Sequence, residues 1–135
     1  MEILTAIIEK SNDGGFSIHS KDIEGSYAMG LTELEAKEDF IDVIEEQAEY
    51  YKEIHGSYPD WYSKGYKVNY VYDLSAFFAS FPFINASAFA KEIGINTSLM
   101  RRYKNRITFA SEKQKELIQD KYNHILERMK DVTFA

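Results

Sequence analysis

The 135-residue chain has no cysteine, only two prolines, and three histidines, His19, His55 and His124, that lie far apart. Without cysteine there is no disulfide framework, thiol nucleophile or thiolate metal site, which is compatible with a reducing compartment. The histidines lack the His-Glu-x-x-His spacing that sets two imidazoles on one helix face, so they read as surface or hydrogen-bonded residues, not zinc ligands. Long apolar runs are missing as well. The opening MEILTAIIEK carries Glu2 where a secretory leader needs basic residues, and it meets Glu9 and Lys10 after a short apolar stretch. Neither a signal peptide nor a membrane span is expected, and the expected location is the cytoplasm. The sequon-like Asn85-Ala86-Ser87 and Asn96-Thr97-Ser98 are therefore read as chance matches.

Catalytic constellations are absent too. Asp13-Gly14-Gly15 lacks the lysine and following helix of a phosphate loop and reads as a hairpin turn. A two-metal nuclease needs carboxylates converging from strands, and Leu4 to Ile8 offers none. Serines without a poised base are ordinary residues. The chain is expected not to be an enzyme and to need no cofactor or metal.

What is present is core-forming material and segregated charge. Hydrophobic residues make up 44% of the chain and aromatic residues 15%, enough to fill a core, which argues against wholesale disorder. The net charge of -6 hides an asymmetry. Through Tyr72 there are 6 Lys and Arg against 15 Asp and Glu; from Asp73 onward there are 10 against 7. The halves thus carry -9 and +3. Such polarity suggests two jobs, one facing a basic partner and one facing phosphate.

Along the chain, Glu2 to Glu9 and Phe16 to Ser20 flank the Asp-Gly-Gly turn and read as a hairpin, with Ser26 to Gly30 completing a meander. Thr32, with Glu35 three residues on, forms a capping box that opens a helix. Leu34, Ile41, Ile44, Ala48 and Tyr51 supply its expected apolar stripe. Its other faces carry Glu35, Glu38, Asp39, Asp42, Glu45, Glu46, Glu49 and Glu53. A turn-rich connection from His55 to Lys67 leads to a last strand, Val68 to Tyr72. Seven of the ten tyrosines, with Trp61, crowd between Tyr50 and Tyr72. They serve either as cover for the sheet or as interface anchors, two roles that suit amphipathic rings.

The second half is expected to be helical. A run through Phe77, Phe78 and Phe81 reads as its first helix, supplying the core for the next two. Phe89, Ala90 and Ile93 share one helical face, Gly94 suits a C-terminal cap with positive φ, and Asn96 suits the N-cap of another helix. In that helix Ile95, Leu99 or Met100, and Tyr103 fall inward, leaving Thr97, Ser98, Arg101, Arg102 and Lys104 outward. A small residue at the crossing, a glycine at the bend and apolar anchors are what a helix-turn-helix requires. An ordinary corner between two helices with a basic solvent face satisfies the same spacing. Finally, Ser111 and Gln114 form a second capping box before a helix with Ile118, Tyr122, Ile125 and Met129 on one side, which is either core or a dimer seam.

The expected fold class is therefore α+β: residues 1–72 form a small antiparallel sheet with one packed helix, and residues 73–135 form an all-α helix-turn-helix domain. Taken together, the hairpin Ile3 to Ser20, Ile23-Glu24-Gly25, Ala28-Met29-Gly30, Leu31 to Ala36 and the tail Phe81 to Arg106 resemble the HicB antitoxin family. The resemblance covers nearly the whole chain. It departs at Ile23-Glu24-Gly25, where many members carry a Pro-Gly-Cys-like turn, and in the Tyr-rich insertion. What it implies is a truncated RNase H-like N-terminal domain, without catalytic carboxylates, that binds a small RNA-cleaving HicA-like toxin. The C-terminal domain is then implied to bind operator DNA as a homodimer or tetramer and repress its own operon. On this reading Glu38, Asp42, Glu45, Glu46, Glu49, Tyr58 and Trp61 are the candidate partner-binding residues. Asn96, Thr97, Ser98, Arg101, Arg102, Lys104 and Arg106 are the candidate DNA-binding residues. The alternatives are a free-standing DNA-binding regulator, a protein-interaction module without a toxin partner, and a small-ligand sensor using the Tyr-rich region.

Overall fold

The computed structural model describes residues 1–135, which pack as two separate units, Met1–Ser80 and Phe81–Ala135. The first unit is a mixed α+β structure. Its strands are β1 (Glu2–Lys10), β2 (Phe16–His19), β3 (Tyr27–Gly30) and β4 (Tyr66–Tyr72), and its helices are α1 (Glu33–His55), α2 (Asp60–Ser63) and α3 (Leu74–Ser80). The four strands form one sheet in the order β3-β2-β1-β4.

The meander forms as its turn chemistry requires: Gly14 takes φ 98°, and the Ser11 N–H donates to the Gly15 carbonyl at 2.8 Å. β2 lies antiparallel to β1 and β3 antiparallel to β2, but β4 runs parallel to β1, with Leu4 beside Val68 and Ala6 beside Tyr70. The expected all-antiparallel sheet is thus corrected to a mixed one. The reason is the connection: with a 23-residue helix packed on the sheet, the chain returns to the strand's starting end and re-enters in the same direction.

Alternation sorts the faces. Leu4, Ala6 and Ile8 are buried, with Ile18 and Ala28 level with Ile8 across the sheet, and the helix side is closed by α1. The opposite side shows Ile3, Tyr27, Met29 and Val71 to solvent. On α1 the inward residues are Ala36, Phe40, Ile44 and Ala48; Ile44 and Ala48 are as expected and Ile41 packs beside them, but Leu34 and Tyr51, the expected ends of the stripe, are exposed. Large residues fill the centre, and small ones at the ends let the helix backbone approach the sheet. At Gly30 the helix backbone lies so near that an added Cβ would stand 2.3 Å from the Ala36 nitrogen.

The capping box at Thr32 is present in altered form. Thr32 Oγ1 accepts from the Glu35 N–H at 3.1 Å, while the Glu35 carboxylate reaches past the cap to accept from the Leu31 N–H. The edges of the sheet are treated differently. Along β3 and just past its end the alternate N–H groups of Tyr27, Met29 and Leu31 donate to the Gly25 carbonyl, the Asp39 carboxylate and the Glu35 carboxylate. No strand pairs with the outer edge of β4.

The boundary between units falls at Ser80, not at Tyr72. α3 belongs with the first unit: Ala76 is fully buried in the sheet's core, and Ser75 Oγ accepts from the Lys10 N–H at 3.0 Å. The run through Phe77 and Phe78, expected to open the second half and supply its core, is thus corrected to the last helix of the first unit, and Phe81 lies beyond it. The second unit contains α4 (Ala86–Ile93), α5 (Thr97–Lys104) and α6 (Glu112–Lys130). No helix of the chain is long and apolar enough to cross a membrane.

Candidate partner surface and nucleic-acid interface

In the first unit the acidic residues of α1 divide into two rows. Glu38, Asp42 and Glu46 are exposed and four residues apart, which lines them along one face of the helix. Glu45 and Glu49, expected to stand with them, are engaged inside the unit. The Tyr66 hydroxyl donates to Glu45 and the Tyr58 hydroxyl to Glu49, each at 2.8 Å, and the Lys52 ammonium sits 4.5 Å over the Tyr58 ring. Trp61 packs against the core, edge-on to Tyr66 with ring centroids 5.5 Å apart. Tyr58, Trp61, Tyr62 and Tyr66 therefore fasten the segment before and into β4 onto α1. This accounts for much of the tyrosine-rich stretch as cover for the fold, and the free acidic row is shorter than the sequence implied.

The near end of α1 has a second such fastening that sequence reading missed. Glu33 accepts from the hydroxyls of Tyr72 and Ser80 and from the Lys37 ammonium. Burial disfavours its charge, but these three donors outweigh burial and hold its carboxyl below the ordinary value. Burial followed by the Glu33 hydrogen bond pushes Tyr72 up to about 12, and burial followed by Glu45 raises Tyr66 as well. In the unfolded chain both phenols ionise near 10. Between that value and the native one, the folded state retains protons that the unfolded state has lost, so stability falls as pH rises. The urea midpoint of the chain is thus expected to be steady from neutral pH to about pH 10 and to drop toward pH 12. A Tyr66→Phe, Tyr72→Phe double variant should drop less; an identical profile would remove these two phenols as the cause.

In the second unit the turn between α4 and α5 is built as expected. Gly94 takes φ 76° and its N–H donates to the carbonyls of Ala90 and Lys91, while the Ile95 N–H returns to the Ala90 carbonyl at 2.8 Å. Asn85 and Asn96 cap the two helices, their side-chain oxygens accepting from the Ala88 and Leu99 N–H groups. Phe89, Ala90, Ile93, Ile95, Met100 and Tyr103 are buried, and Leu99 is half-buried, so Met100 is the inward residue of that pair.

The outward face of α5 carries Ser98, Arg101, Arg102 and Lys104, all exposed, with Thr97 half-buried. Arg101 is held: its Nη1 donates to Ser87 Oγ on α4 at 3.1 Å and its Nη2 to Ser98 Oγ at 3.2 Å. Asn96 uses its side-chain oxygen as a cap. Arg106 stands apart from this row. It follows the helix with φ 59°, is half-buried, and turns its guanidinium toward Phe109 at 6.0 Å from the ring centroid. Its place is the end of the helix, not the exposed basic face.

α6 begins with Ser111 Oγ accepting from the Gln114 N–H at 3.2 Å. Of its apolar side, Ile118 is buried, Tyr122 and Ile125 half-buried, and Met129 exposed. Its later part, with Glu92 of α4, lines a shallow groove of about 370 Å³, crossed by the Arg128–Glu92 ion pair at 2.8 Å. The histidines fall beside Glu9, beside the Tyr51 ring and beside Asp120 respectively.

No protein-family model, curated protein or solved structure matches the chain.

Proposed function

We propose that the chain is a HicB-like antitoxin and autorepressor that acts by binding and not by catalysis. Its first unit masks a small, basic, RNA-cleaving protein of the HicA kind. Its second unit binds operator DNA as a helix-turn-helix, in a cytoplasmic homodimer or tetramer.

The observation that carries this reading is the division of charge between two separately packed units. With the boundary at Ser80, the first has 6 Lys and Arg against 16 Asp and Glu, and the second has 10 against 6, giving -10 and +4. The acidic unit has an unengaged row at Glu38, Asp42 and Glu46, and the basic unit exposes Arg101, Arg102 and Lys104 on one helix. Opposite potentials of this kind speed encounter with a basic protein on one side and DNA on the other. A meander, a covering helix and a fourth strand parallel to the first also support the truncated RNase H-like reading of the first unit.

The test is association with the product of the adjoining reading frame, which on this reading is short and basic. Co-expressed and purified at low salt, the two should form a stoichiometric complex that a Glu38→Lys, Asp42→Lys, Glu46→Lys variant weakens at least tenfold, about 1.4 kcal/mol. Full-length chain that neither binds that product nor shifts DNA from upstream of its own reading frame would end the proposal. One finding favours the free-standing DNA-binding regulator as a second reading: Glu45, Glu49 and Trp61 are committed within the first unit, which leaves a toxin fewer groups to meet. Binding of upstream DNA without any complex with the neighbour would select that reading.

A further inference from the structure

We propose that Arg101 reads the major-groove edge of a guanine, and that Ser87, on the preceding helix, is the positioning residue that aims it. This rests on the reading of the second unit as DNA-binding and adds which base it recognises and how. Two serines from different helices each take one N–H from the terminal nitrogens of the same guanidinium, Ser87 at 3.1 Å and Ser98 at 3.2 Å. The fork has five donors, so three remain, one on each terminal nitrogen and one at Nε. Adjacent, parallel N–H groups in a plane are the donor pattern that guanine O6 and N7 accept together. Holding the side chain restricts its rotamer freedom before DNA arrives, which favours a contact of fixed bidentate geometry.

The neighbouring cation behaves differently. Arg102 is exposed, and no hydroxyl holds its guanidinium, the condition of a side chain that follows phosphates along a backbone. Ser98 also gains a role. Its hydroxyl accepts from Arg101, which gives it a supporting role toward the reader beside any contact of its own. Ser87 had no sequence signal at all, being one more small residue in the first turn of α4.

The experiment selects sequences from double-stranded DNA with a randomised centre, using the full-length chain, and then measures affinities for the selected site and its single-base variants. The selected half-site should contain a guanine whose replacement weakens wild-type binding by about tenfold or more, and Arg101→Ala should lose that preference. Ser87→Ala should keep the salt dependence of binding while the preference for guanine falls several-fold, and Ser87→Thr should restore it. A selected site whose base preferences do not change in Arg101→Ala overturns the proposal, as does a Ser87→Ala chain with undiminished preference. Enrichment of no sequence at all overturns the DNA reading itself, a result distinct from either of these.

Discussion

Gly30→Ala is expected to destabilise the first unit by at least about 3 kcal/mol, more than any surface change in the chain. An added Cβ would lie 2.3 Å from the Ala36 nitrogen, 2.7 Å from the Glu35 carbonyl carbon and 2.8 Å from the Ala36 Cα. All three are backbone atoms of the first turn of α1, which cannot rotate aside as a side-chain tip would. Relief requires lifting the helix from the sheet, which opens the contact around Ala36, Phe40 and Ile44. Gly15 is under the same kind of constraint, since a Cβ built there would lie 2.4 Å from the Gly30 carbonyl oxygen. Gly14→Ala is the control: its φ is 98° but nothing lies within 4 Å, so only the backbone cost of about 1 kcal/mol applies. Urea unfolding followed by helical ellipticity checks both. Equal midpoints for Gly30→Ala and Gly14→Ala would mean that the strand and helix can part cheaply.

DNA affinity is expected to fall roughly a hundredfold as monovalent salt rises from about 50 to about 200 mM. Arg102 and Lys104 from each copy of a homodimer would neutralise about four phosphates, and each releases counterions with a slope of about 0.9 in log affinity. Arg102→Ala should reduce that slope by nearly two units, because two copies lose the contact, while leaving base preference intact. Arg101→Ala should do the reverse in emphasis, with preference lost first. Fluorescence anisotropy across a salt series separates the two. A slope unchanged in Arg102→Ala would mean that α5 does not run along the phosphates.

The legible features were the local ones. Thr32, Asn96 and Ser111 each accept a hydrogen bond from an N–H three residues ahead, and Gly94 takes its positive φ, because caps depend on a few adjacent residues. Distance in sequence hid the rest. The Glu33 cluster joins residues as far apart as Ser80, and the Arg101 clamp depends on Ser87 one helix earlier. The direction of β4 was missed because alternation reports which face a residue occupies, not which way the chain runs. Periodicity likewise offered Leu34 as an inward residue, whereas Ala36 takes that end because only a small side chain fits where the helix backbone closes on Gly30. Part of the acidic site was illegible for a related reason: Glu45 and Glu46 are adjacent letters, yet one is bonded to Tyr66 and the other faces solvent.

The unequal edges of the sheet limit how copies of this chain can aggregate. Stacking into a fibre needs two adhesive sides on every molecule, so that each new copy leaves another place to grow. Here the N–H groups that β3 would offer are already satisfied by Gly25, Asp39 and Glu35. Only the β4 side is left for edge-to-edge pairing. Pairing through that edge joins two molecules and uses up the free β4 edge of both, leaving no further β4 edge for a third. Opening the β3 side, for instance by removing the Asp39 carboxylate, would turn a self-limiting accident into a route to polymer.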